Sequence, residues 1–123
     1  MKPKLLVIAC DAFLAGIYGR KFELSGWDVD VVETIADGEH RVMKWRPDIV
    51  LLDVECESDI VSGGRRLNAL PTWQQVRITL LASDGDHAEI QQAKEAGAEA
   101  YLIAGHFVPQ EAVAKLTRIL NHA

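Results

Sequence analysis

Five short apolar runs, each followed by a segment of helical character, constrain this chain more than any other feature. The runs are 4–10 (KLLVIAC), 28–33 (DVDVVE), 49–53 (IVLLD), 77–82 (RITLLA) and 100–103 (AYLI). Four are continuous or nearly so, as strands covered on both faces should be. The run 28–33 alternates instead, which places it at a sheet edge. Between them, segment 12–25 shows apolar residues at helical spacing (Phe13, Ile17, Phe22, Leu24), and Gly26 follows as a stop. Segment 37–45 ends before Arg46-Pro47, where proline blocks continuation. A short third helix is expected near 64–70. Asp86 opens a fourth, with Glu89 in capping-box spacing and Gly97 closing it. Pro109 suits the first turn of a last helix running to about residue 122. Strand-helix alternation of this kind implies a parallel sheet with right-handed crossovers and helices on both faces. The expected architecture is therefore a doubly wound (βα)5 α/β domain over residues 1–123, with strands ordered 2-1-3-4-5.

Composition excludes several function classes. A net charge of −5 with no run of Lys or Arg argues against a nucleic-acid surface, which needs clustered cations. No stretch approaches the roughly 18 to 20 apolar residues that span a bilayer. The opening Met1-Lys2-Pro3-Lys4 leads straight into a strand-like run, not into a signal peptide. Cys10 and Cys56 are the only cysteines, too few for a disulfide framework, so a reducing cytoplasm is expected. A Cys10–Cys56 redox pair is the sharper reading of these thiols, and small buried side chains the plainer one. His40, His87, His106 and His122 are scattered and show no metal-ligand spacing.

In an open parallel sheet, ligands bind beyond the carboxyl ends of the strands, where strand order reverses. Here that point lies between the first and third strands. The residues to read are Cys10-Asp11-Ala12, Asp53-Val54-Glu55, Ala82-Ser83-Asp84 and Ile103-Ala104-Gly105. Asp53 is the most pointed, because it ends a run of four apolar residues and its carboxylate emerges at the top of a central strand. Either it caps the following turn or it belongs to a site. Glu55, Glu57 and Asp59 follow, making an acidic loop that an ordinary solvated loop would equally explain.

At these residues the chain resembles the CheY-like receiver domains of bacterial two-component signalling, with the flavodoxin-like fold. Pro47-Asp48 through Asp53 resembles the family's P-D-hydrophobic-D motif, whose last aspartate accepts a phosphoryl group from a histidine kinase. Ala96-Gly97-Ala98 with Tyr101-Leu102 resembles the segment leading into the fifth strand. Ile17-Tyr18, Lys21-Phe22-Glu23 and His106-Phe107-Val108-Pro109 resemble one subgroup of bacterial receivers. The resemblance implies a division of labour. Two acids after the first strand, the acceptor aspartate and a carbonyl two residues beyond it hold magnesium. A Ser or Thr after the fourth strand and a Lys after the fifth bind the phosphoryl oxygens. Phosphoryl transfer is mostly positioning plus charge neutralisation, and magnesium prefers hard oxygen ligands.

Carried over residue by residue, the pattern is broken. The acid pair falls on Ala9 and Cys10, the hydroxyl on Ala82 and the lysine on Ala104. Asp53 survives, with the Glu55 carbonyl in place, and Asp11 is the nearest substitute acid for the metal. Tyr101 takes the aromatic switch position, where it either moves with activation or simply packs. The loop 55–64 lacks the family's proline, and its glycines come late.

The expectation is a pseudo-receiver: a phosphorylation-independent interaction module, not an enzyme, that binds no cofactor and magnesium only weakly if at all. The alternative is a working receiver that phosphorylates Asp53 with improvised ligands from Asp11 and Glu55. A flavin-binding or Cys10-dependent enzyme on the same fold is the third reading, but Cys10-Asp11-Ala12-Phe13 is not the Ser/Thr/Gly-rich loop a flavin phosphate needs. Expected partners are proteins, a histidine kinase or an effector, meeting the last two helices and the fifth strand, where a homodimer is also open. Trp73 is read either as a partner anchor or as packing over the third helix.

Overall fold

The computed structural model describes residues 2–9, 11–53, 77–82, 91, 100–103 and 109–121. Five strands form one parallel sheet: β1 (Lys4–Ile8), β2 (Asp28–Val32), β3 (Ile49–Asp53), β4 (Arg77–Ala82) and β5 (Ala100–Ile103). Their order is β2-β1-β3-β4-β5, the arrangement expected from the sequence, with β2 at an edge. Three helices are described: α1 (Ala12–Leu24), α2 (Ile35–Trp45) and α3 (Pro109–Asn121). The helices expected near 64–70 and 86–97 fall outside the described residues, apart from Gln91, which is helical and exposed.

Burial follows the patterns that marked the strands. Every residue of β3 is buried, whereas edge strand β2 has none buried. On one face of the sheet, Leu5, Val7, Ala9, Ile49 and Leu51 pack with Tyr18 and Phe22 of α1 and Leu116 of α3. Burying each such large side chain is worth roughly 1.5–3 kcal/mol, which is why these faces define the core. On the other face Gly38 of α2 sits so close to β1 that a β-carbon there would overlap Ile8 Cδ1.

The structure corrects the reading of α1. Of the four apolar residues that announced this helix, only Phe22 is buried; Phe13 and Leu24 are 78% and 73% exposed and Ile17 is 40% exposed. The buried stripe is Ala15, Tyr18, Gly19 and Phe22. Two stripes at helical spacing were available, and the sheet selects the one with small residues, since Gly19 lies against Val29 and Val31 of β2.

Boundaries shift by one or two residues. Strands β1 and β2 stop at Ile8 and Val32, short of the runs that marked them. Helix α1 ends at Leu24 and α3 at Asn121, while Gly26 takes φ 95° after α1, the left-handed turn a glycine stop supplies. Helix α2 begins at Ile35, two residues before the expected Asp37, because the Thr34 hydroxyl accepts from the Asp37 N–H at 3.1 Å as an N-cap. It ends at Trp45 and is capped by Arg46, left-handed at φ 53°, whose N–H donates to the Val42 carbonyl.

Candidate functional site

The reversal of strand order falls between β1 and β3, as the sequence required, so the site to build is at their carboxyl ends. Asp53 closes β3 with only 5% of its surface exposed. A carboxylate this buried is costly unless its surroundings compensate it. The last printed register pair between the two strands is Ile8↔Leu52, so the next residues, Ala9 and Asp53, stand side by side. Ala9 is buried, and its N–H donates to the Val32 carbonyl at 3.0 Å. On the other flank Asp53 is in register with Leu81, and Ala82 ends β4 one step later, paired with Ile103 of β5. Tyr101 is opposite Leu80 on β5.

The sheet thus brings Ala9, Asp53, Ala82 and the Tyr101 backbone to one end of the domain. Cys10, Glu55 and Ala104 lie outside the described residues, as do the side chains of Ala82 and Tyr101 and all of Trp73. Asp11 has a structural task. It is the N-cap of α1, and its Oδ1 accepts from the Phe13 N–H at 3.0 Å and the Leu14 N–H at 3.2 Å. Such a cap typically contributes about 1 kcal/mol to helix stability, and the carboxylate also faces the positive end of the helix dipole.

Magnesium seeks about six oxygens in near-octahedral array. Around Asp53 the described residues offer one buried carboxylate beside the Ala9 methyl, with the Asp11 carboxylate turned to its own helix. That donor set does not by itself make a magnesium shell. Among the described residues, no group of three His, Cys, Asp or Glu side chains is placed to hold a metal ion.

One residue of the resembling motif has a role that sequence spacing did not reveal. Asp48 ties the starts of β1 and β3 together: its Oδ2 accepts from the Lys4 N–H at 2.8 Å, and its own N–H donates to the Lys4 carbonyl at 2.9 Å. Lys4 in turn donates from Nζ to the Trp45 carbonyl at 3.1 Å, at the end of α2. These bonds fix the relative height of β1 and β3, and so the placing of Asp53 next to Ala9. Two clefts among the described residues, of about 520 and 430 Å³, open at the opposite end of the sheet around Lys2, Trp27 and Asp48 and around Arg41 and Trp45. They are far from Asp53 in the fold, and the Lys2–Asp28 and Arg41–Asp30 ion pairs line the second beside Glu23.

No protein-family model matches the chain. It is 27% identical over 126 residues to the phosphate regulon transcriptional regulatory protein PhoB of Rhizobium meliloti (strain 1021), a match covering the whole chain and 54% of that protein. The chain therefore spans about half the length of this curated relative. Among solved structures, a Chloroflexus aurantiacus J-10-fl protein assigned as a response regulator superposes with a TM-score of 0.90 at 25% identity, over 99% of this chain and all of that one. The chemotaxis response regulator CheY4 of Vibrio cholerae superposes with a TM-score of 0.87 at 17% identity, over 97% and 99% of the two chains. The sheet order, the aspartate at the end of its central strand and structural likenesses running the full length of the chain converge on one fold: this chain has the flavodoxin-like fold of CheY-like response regulator receiver domains.

Proposed function

We propose that this receiver domain is a pseudo-receiver, an interaction module whose signalling output does not depend on phosphorylation of Asp53. The observation that carries this reading is the buried methyl of Ala9 beside the buried carboxylate of Asp53, where a receiver's metal-binding acid is expected. The sequence adds Cys10, Ala82 and Ala104 at the second acid, hydroxyl and lysine positions. A phosphoryl group on Asp53 would bring roughly two negative charges to a site whose lysine position holds Ala104, and removing such preorganised partners costs orders of magnitude in transfer rate. Asp11 supports the same reading, since recruiting it to a metal would strip the N-cap from α1. Binding of magnesium is accordingly weak, the domain is not an enzyme, and its partners are proteins of a two-component pathway, a histidine kinase or an effector, in the cytoplasm. Among the described residues no helix is long and apolar enough to cross a membrane.

Intact mass and amide NMR shifts, recorded with magnesium plus acetyl phosphate or beryllofluoride, test this directly. The expected result is no mass adduct and no shift around Asp53. A stable adduct on Asp53 would establish the working-receiver alternative, with improvised ligands. The combined substitutions Cys10→Asp, Ala82→Thr and Ala104→Lys are expected to restore acetyl-phosphate labelling of Asp53. If that folded triple variant stays inert, the assignment of the pocket positions is wrong.

A further inference from the structure

We draw no further inference here: the strongest candidate, the pair of clefts at the amino end of the sheet that share Lys2 and Trp27, is lined by charges of both signs, and nothing in the structure shows what fills it.

Discussion

Single residues of this domain are held by reasons that differ in how far they could be read in advance. Asp53 was marked by its place after four apolar residues, and it closes β3, buried. Asp11, next to the same pocket, turned out to be a helix cap, and only the position of the Phe13 and Leu14 N–H groups shows this. Thr79 is a residue that no pattern flagged. It is fully buried in β4, in register with Leu51 and Ala100, and its hydroxyl has no hydrogen-bond partner among the described residues. An unsatisfied buried hydroxyl costs about 1–3 kcal/mol, so Thr79→Val, which keeps the volume, should stabilise the fold by about 1 kcal/mol. A rise in urea midpoint would show it, and a fall would mean that the hydroxyl has a partner. Tyr18 gives a pH signature. Burial pushes its phenol up from the ordinary tyrosine value, so the folded domain keeps the proton that the unfolded chain releases. The resulting stability is complete below the unfolded pKa near 10 and is lost as pH rises through the higher folded value. Unfolding curves between about pH 9 and pH 11 should therefore show a decline that is shallower in Tyr18→Phe. Identical declines would remove Tyr18 as the cause.

At the scale of elements, existence and type were legible and faces were not. All five strands lie where the apolar runs place them, because a strand covered on both sides has little choice of composition. Helix α1 shows the limit. Its sequence holds two apolar stripes, and periodicity cannot say which meets the sheet; the close approach at Gly19 to Val29 and Val31 decides it. Edge strand β2 has its own protection. The Asp30 carboxylate accepts from the Val31 N–H at 3.0 Å and pairs with Arg41, occupying an edge group that would otherwise invite strand pairing. Helix α2 depends on Gly38 to reach β1. In Gly38→Ala the new methyl meets fully buried Ile8, and the cost of overpacking exceeds the gain in helix propensity. A net loss of about 1–2 kcal/mol is expected from chemical denaturation. An unchanged midpoint would show that Ile8 can repack without penalty.

At the scale of the molecule, the sheet order fixes where chemistry can occur. The reversal between β1 and β3 sets Ala9 against Asp53, a methyl where the resembling pattern has an acid. By itself the sequence determined the five strands and the three described helices, the parallel order of the sheet and the one carboxylate that closes the central strand. It could do so because alternation of apolar runs with helical segments leaves a parallel sheet few topologies, and because apolar neighbours force Asp53 to a strand end. Tertiary structure decided which stripe of α1 is buried, that Asp11 caps a helix and that Asp48 clamps two strands. Each of these depends on how closely two backbones approach, a quantity set by packing across the sheet and not by spacing along the chain.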